Sequence, residues 1–377
     1  MSEATQDQYS LQSSESPQIN PLELPYKPRD PQHYRPKIGL IACGGITISH
    51  LNAYTQAGYN VVALCDLIEE RAKERQAKYY PDAFVTTDYR RVLEREDIEV
   101  VDIATHPHDR FPLIEDSLKA GKHVLSQKPF VLDLEVGEHL VALAKAQNRK
   151  LAVNQNGRWA PHFSYIRETL KAGLIGDLVS LHFGCHWDHS WVKGTQFEKI
   201  RDLILYDFAI HWFDIISHLL GDRTPTKVYA TRNLALGQEI VPPLLAQAMI
   251  EFPGGQASLV FDAAVKRGNL DRTYIAGTEG SIVSTGPDLG SQVMTITTAS
   301  GQFTPHLEGH WFPTGFHGTM GELLRSIEED REPINSAEEN LKSLALCFAA
   351  IASATDGEPK VPGLVRKLPS GSAPGVL

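Results

Sequence analysis

The chain has 377 residues, with 36 Lys and Arg against 46 Asp and Glu, a formal charge of −10 and a pI of about 5.8. That length exceeds one ordinary core and points to two domains, and the acidic balance argues against nucleic acid or an anionic membrane surface as a partner. A hydrophobic fraction of 42% is globular, and no apolar run approaches the ~18 residues of a membrane span.

Residues 1–36 are rich in Ser, Gln and Pro. The first twenty are expected to be disordered, and the Pro-rich remainder to form an extended arm on a neighbouring domain or subunit. The start, MSEATQDQYSLQSSESPQIN, has neither a basic nor an apolar region and does not read as a secretory signal. Cys43, Cys65, Cys185 and Cys347 form no C-x-x-C pair; Cys43 and Cys65 lie in strand-like runs, where buried reduced thiols are usual. Both features favour a cytoplasmic protein.

From Lys37 the apolar runs KIGLIA, NVVALCD, EVVDIAT and KHVLS alternate with helix-like segments at about 46–57, 68–80, 109–120 and 133–146, and LAVNQ adds a strand. Continuous apolar strands alternating with helices predict an α/β, doubly wound parallel sheet over residues 37–158. Beyond it come a short helix, Pro161 to Ala172, a strand DLVSLHFGCHW and an apolar helix containing YDFAIHWFD. Strands from VYATRNLAL to VMTITTAS follow without intervening helices, then helices in GTMGELLRSIEED and SAEENLKSLALCFAAIASAT. Residues 159–377 therefore read as an α+β domain with a large open, mostly antiparallel sheet.

The first strand runs into ACGGIT, where glycines let backbone approach a pyrophosphate at a helix N-terminus. The match to G-x-G-x-x-[GA] is imperfect, with Ala42 in the first position, Gly44 in the second, Thr47 in the third and Gly45 extra. Asp66 ends the next strand, 22 residues beyond Gly44, where a carboxylate would read the ribose 2′-hydroxyl of NAD and repel the phosphate of NADP. The alternative for Asp66 is an N-cap of the helix that follows.

In YDFAIHWFD, offsets of four, seven and eleven from Asp207 place His211, Asp214 and His218 on one stripe of an otherwise apolar helix. The stripe lacks Lys, Arg and Glu, so it is expected to face a cleft rather than water. HFGCHWDHSW offers Cys185, His186, Asp188 and His189 as metal donors, but strand alternation parts Cys185 from His186 and no second ligand pair has the right spacing. No metal is expected. Beside Trp187 and Trp191, His186 and His189 read instead as a sugar-binding wall, to which His310, Trp311 and His317 can add; ordinary core packing stays open as the other reading.

With these residues in view the chain resembles the glucose–fructose oxidoreductase / inositol dehydrogenase / rhizopine catabolism (Gfo/Idh/MocA) family over roughly residues 37–365. The resemblance rests on ACGGIT with Asp66, IATHP at 103–107, AGKHVLSQKP at 120–129, NGRWAP at 156–161, DFAIHWFD at 207–214 and GTEGSI at 277–282. It implies a Rossmann domain followed by an open-sheet domain that joins subunits into a homodimer or homotetramer. It also implies NAD as cofactor and a carbohydrate or polyol substrate. Lys128 would bind the reacting hydroxyl, with His211 as acid/base and Asp207 beside it. Gly44, Gly45, Ile46, Asp66, Thr105, Gln127, Lys128 and Asn156 would hold the cofactor. Arg158 and Trp159 would join His186, His189, Trp191, Asp207 and His211 around the substrate.

Three positions depart from the family pattern. Ala42 replaces a glycine; Gln127 replaces the Glu of E-K-P, though its amide can still bond a ribose hydroxyl; Ala209 replaces the Gly of D-x-G-x-H, crowding the approach to the helix. Hydride transfer from a secondary alcohol needs its O–H proton removed, which suits His211, while Lys128 stabilises the developing alkoxide. The expected activity is an NAD-dependent sugar or polyol dehydrogenase. The alternatives are a redox-neutral enzyme that keeps its NAD while processing a glycoside, and a non-catalytic sugar sensor.

Overall fold

The computed structural model describes residues 16–373. Its first sheet comprises β1 (Lys37–Ile41), β2 (Asn60–Cys65), β3 (Phe84–Thr86), β4 (Ile98–Ile103), β5 (His123–Gln127) and β6 (Leu151–Asn154). All pairings are parallel, in the order β3-β2-β1-β4-β5-β6. The crossovers carry α1 (Thr47–Ala57), α2 (Glu69–Tyr79), α3 (Arg90–Leu93), α4 (Pro107–Lys119) and α5 (Leu134–Ala146). Ile38, Leu40, Val100 and Leu125 are wholly buried, as the unbroken apolar runs require of strands covered on both faces. Strand order reverses between β1 and β4, which opens a crevice at the C-terminal ends of the strands. The 42–47 turn, Thr105 and the Gln127–Lys128 turn all follow those ends.

After α6 (Pro161–Lys171) come β7 (Leu178–His186), α7 (Ile210–Leu220) and strands β8 (Lys227–Asn233), β9 (Leu245–Phe252), β10 (Gly255–Asp262), β11 (Leu270–Gly277), β12 (Ser281–Gly286), β13 (Val293–Thr298) and β14 (Gly301–Phe303). They form one sheet ordered β14-β13-β12-β11-β7-β10-β9-β8, antiparallel except for the β7–β10 pair. One face packs on helices, with Trp212 of α7 edge-on to Phe261 of β10 at 5.0 Å. Among the described residues nothing covers the other at Met249, which is 59% exposed. Helices α8 (Trp311–Glu328) and α9 (Ala337–Asp356) complete the chain, and Ser336 caps α9 by accepting from Glu339 N.

The fold class is the one the patterning predicts, with two local differences. Helix α8 begins at Trp311, about two turns before the helix predicted from Gly318. Its glycines are there for contact: a Cβ on Gly315 would lie 2.5 Å from Asn156 O, and one on Gly318 would lie 2.1 Å from Trp159 Cγ. The arm, from residue 16, lies on its own chain. Gln18 bridges Gln302, Ser164 Oγ donates to Tyr26 O at 2.5 Å, and Glu328 accepts from the backbone N–H of Gln32, His33 and Tyr34. Residues 16–20, expected to be disordered, are thus extended on β14; the first fifteen lie outside the described residues.

Ala42 has φ of 74°, the left-handed conformation that the missing glycine would have supplied. An L-residue with a Cβ is strained there by about 1–2 kcal/mol, partly offset by the lower chain entropy of alanine in the unfolded state. Ala42→Gly is expected to stabilise the protein by about 0.5–1 kcal/mol, read as a raised thermal midpoint. An unchanged or lowered midpoint would contradict the assigned strain.

Candidate active site

The nucleotide turn leaves β1 at Ala42, whose N–H bonds Cys65 O at 2.8 Å. Gly44 and Gly45 do not have positive φ, and an added Cβ on either would meet no atom within 4 Å. Nothing among the described residues demands glycine at these two places; the open space above them is what a bound pyrophosphate would fill. Among the described residues no side chain caps α1; the N–H groups of Thr47, Ile48 and Ser49 bond back to the carbonyls of Gly44, Gly45 and Ile46, which leads the glycine turn directly into the helix. Asp66 does two jobs. Its Oδ2 accepts from Cys43 N at 2.7 Å, and its Oδ1 accepts from Ile68 N at 2.8 Å. Both the stitch to the turn and the start of α2 are thus present, with lone pairs left on each oxygen. Leu67 is 90% exposed beside it, and Ile46 and Ile68 are also exposed, which gives an apolar ledge suited to an adenine ring. The residues present fit NAD.

Across the crevice, the ammonium of Lys128 donates to Asp207 O at 2.8 Å and lies 3.3 Å from Asp207 Oδ1. Both side chains are mostly buried. The preceding segment is a π-helical turn, Ile204–Phe208, in which Ala209 N reaches back five residues to Ile204 O at 2.7 Å. Such bulges recur at functional sites. A 3.6-residue period cannot anticipate this extra residue, and it shifts Asp207 relative to α7. The carboxylate pairs with Lys128, and no hydrogen bond joins it to His211. Ala209 is wholly buried, so its methyl packs in the core instead of crowding the cleft.

His211 sits edge-on to Trp311 at 5.5 Å, with Nδ1 shielded and without a partner. Burial, reinforced by the Lys128 charge, holds its pKa well below the usual imidazole value, so it is neutral and able to accept a proton. His189 stacks on Trp187 at 5.3 Å and meets Phe208 edge-on at 4.1 Å; burial lowers its pKa to about 4. Half-exposed Trp191 covers Phe208 from outside, with ring centroids 6.4 Å apart. Trp187, Asp188, His310, Trp311 and Phe312 line a cavity of about 400 Å³, whereas His186, His189, Trp191 and His317 of the expected wall are not among its lining residues. His317 turns to Asp30 of the arm at 2.9 Å.

Other assignments do not survive. Arg158 lies outside the cleft: its Nε and Nη2 grip Asp214 at 2.5 and 2.7 Å, and Nη1 reaches Ile334 O and His218 Nδ1. Asp214 also accepts from Ser343 Oγ at 2.8 Å, so its bonds are all to distant parts of the chain. The stripe therefore splits, Asp207 and His211 facing Lys128 while Asp214 and His218 serve this buried lock. Trp159 and His218 instead line a separate cavity of about 700 Å³ beneath the arm. His186 leaves the sheet on the open face, paired with Asp262 at 2.7 Å. Gln127 is turned inward, its Oε1 accepting from Lys128 N at 2.7 Å and its Nε2 facing His50 Nε2 at 3.2 Å, which leaves the amide no ribose to bind. Asn156 and Thr105 remain at the seam, each with a buried side-chain atom (Nδ2 and Oγ1) lacking a partner. Among the described residues no three His, Cys, Asp or Glu converge as metal ligands.

One residue escaped the sequence reading. Arg110, 1% exposed, directs its guanidinium at the carbonyls of Thr105, Gln127, Pro129 and Phe130, holding the turn that carries Lys128. Burial pushes its pKa down to about 10, which still leaves it cationic at neutral pH. Within HPHDRFP nothing marks this arginine apart from its neighbours.

Comparison with known proteins agrees with this geometry. Residues 36–155 match the oxidoreductase family profile with an NAD-binding Rossmann fold, and residues 163–283 match the GFO/IDH/MocA C-terminal domain. D-Apiose dehydrogenase of Paraburkholderia graminis is 25% identical over 85% of this chain and 88% of its own length. Inositol 2-dehydrogenase of Rhizobium meliloti is 26% identical over 85% and 97%. Among solved structures, an Agrobacterium radiobacter oxidoreductase in complex with NAD+, L-tartaric acid and magnesium superposes with a TM-score of 0.79 at 22% identity, covering 88% of this chain and 99% of that one. Levoglucosan dehydrogenase with NADH and levoglucosan gives 0.75 at 21% identity, covering 87% and 100%. Profiles matched in order along the chain, on the fold they require, establish that this protein belongs to the Gfo/Idh/MocA family of NAD-binding oxidoreductases.

Proposed function

We propose that the cleft oxidises a secondary hydroxyl of a sugar, cyclic polyol or sugar derivative, or reduces the corresponding ketone. The observation that carries this reading is a buried ammonium, Lys128, paired with Asp207 beside the neutral, unpartnered His211. NAD, when bound, supplies the hydride acceptor. His211 takes the hydroxyl proton, and Lys128 donates to the same oxygen as negative charge grows on it. Asp207 holds the ammonium in place and can accept from a neighbouring hydroxyl. Trp187 and Trp311 offer apolar faces to ring C–H bonds, and Asp188 and His310, which line the same cavity, offer polar groups to hydroxyls. The curated relatives named above act on apiose and inositol, which supports a polyhydroxylated substrate.

NADH formation on a panel of cyclic polyols, pyranoses and glycosides tests this directly. Bond cleavage without net NADH would instead favour the redox-neutral reading. Cofactor choice follows from Asp66: NAD should bind at least tenfold more tightly than NADP, about 1.4 kcal/mol, because a 2′-phosphate would face that carboxylate. Equal dissociation constants in titration would refute the assignment. We further propose that subunits pair through the uncovered sheet face, where Met249 stands exposed. A monomer at all concentrations in sedimentation would remove that element.

A further inference from the structure

The Gln127–Lys128 turn is tied to a buried polar chain that the reaction itself does not use. Lys128 N–H can only donate, so the Gln127 atom it meets at 2.7 Å is the amide oxygen. The amide nitrogen must then face His50 Nε2, at 3.2 Å, and Asn154 Nδ2 stands 3.4 Å from the same ring nitrogen. Two donors converging on Nε2 require a bare lone pair there. The ring proton is therefore on Nδ1, where Asp102 Oδ2 accepts it at 2.6 Å. Tyr54 donates its hydroxyl to the same oxygen at 2.7 Å, and the Phe316 ring covers the imidazole at 4.4 Å. His50 and Asp102 are wholly buried and Gln127 is 5% exposed, so water cannot replace a missing partner.

We infer that Gln127 is a positioning residue, held in one orientation by the Nδ1–H tautomer of His50, and that it fixes the backbone from which Lys128 reaches the substrate. This rests on the reading of Lys128 given above. It gives the departure from E-K-P a physical meaning: a glutamine can donate to His50, whereas a glutamate offers only acceptors. Asp102 and His50 thus act on the reacting centre through three successive hydrogen bonds, from Asp102 to His50, Gln127 and the Lys128 N–H.

Gln127→Met keeps the volume and removes both hydrogen bonds. It should lower kcat about 10- to 100-fold by displacing Lys128, with NAD affinity unchanged. Loss of NAD affinity by about tenfold or more with kcat retained would overturn the inference and return Gln127 to the ribose. Nitrogen NMR of histidine-labelled wild-type protein, assigned with His50→Gln, reads the tautomer whether or not any sugar is turned over. The expected signal has the proton on Nδ1 alone; Gln127→Glu should add one to Nε2. A wild-type His50 already protonated at Nε2 would overturn the inference while leaving the proposed reaction untouched.

Discussion

Replacing His211 by asparagine is expected to slow hydride transfer by about 10²–10⁴-fold, the usual share of a positioned general base. NAD affinity should hardly change, because the nucleotide turn lies across the crevice on β1 and α1. The effect is large because the imidazole is unpartnered at Nδ1 and close to Lys128, whose charge joins burial in keeping the ring neutral. The direction of that shift also sets the pH behaviour. A lowered pKa leaves the base unprotonated at and below the ordinary imidazole value, so wild-type kcat/KM for oxidation should hold its plateau as pH falls through 6.5. Loss of half the activity near 6.5 would mean that the imidazole is solvated instead. Asp207→Asn should act differently, weakening the hold on Lys128 and so costing substrate affinity as well as rate. Single-turnover nicotinamide absorbance separates these variants.

The second large effect concerns stability. Asp214→Ala strands the Arg158 cation, which is 2% exposed, and removes an acceptor from Ser343 and Asn340. Breaking a buried pair from one side costs about 3–5 kcal/mol, more than Coulomb attraction alone, because the survivor cannot be solvated. Thermal melting should drop by many degrees. The double variant Arg158→Met/Asp214→Leu should recover much of the loss, since an apolar pair carries no desolvation penalty. If Arg158 instead contacted substrate, Arg158→Met would raise KM and leave the melting temperature in place.

What the sequence could convey follows from the range of each interaction. Apolar runs alternating with helical segments encode local periodicity and sheet burial, so five of the six parallel strands and the long helices were legible to within a few residues, while the three-residue edge strand β3 was too short to show. Helix α8 was cut short because Pro313 and Gly315 are poor helix formers, although Gly315 is small for the sake of Asn156. The π turn before α7 adds a residue that no hydrophobic period records. Pairing was the least legible layer. Arg158 finds Asp214 56 residues away and Gln127 finds His50 77 residues away, and both were taken for ligand-binding groups because a polar residue in a family motif looks the same either way. Lys128, Asp207 and the nucleotide turn were recoverable because each sits at the end of a strand or helix that the pattern already placed.

The central claim is that Lys128, Asp207 and His211 form a working NAD-dependent alcohol oxidation site. The most direct measurement is single-turnover formation of reduced nicotinamide by the NAD-loaded enzyme, mixed in turn with inositol, D-apiose, levoglucosan and simple pyranoses, for wild type and His211→Asn. In wild type the nicotinamide is expected to be reduced rapidly by at least one of these, and in the variant at a rate lower by about 10²–10⁴-fold. Equal rates in the two proteins, or firmly bound NAD that no polyhydroxylated compound reduces, would contradict it.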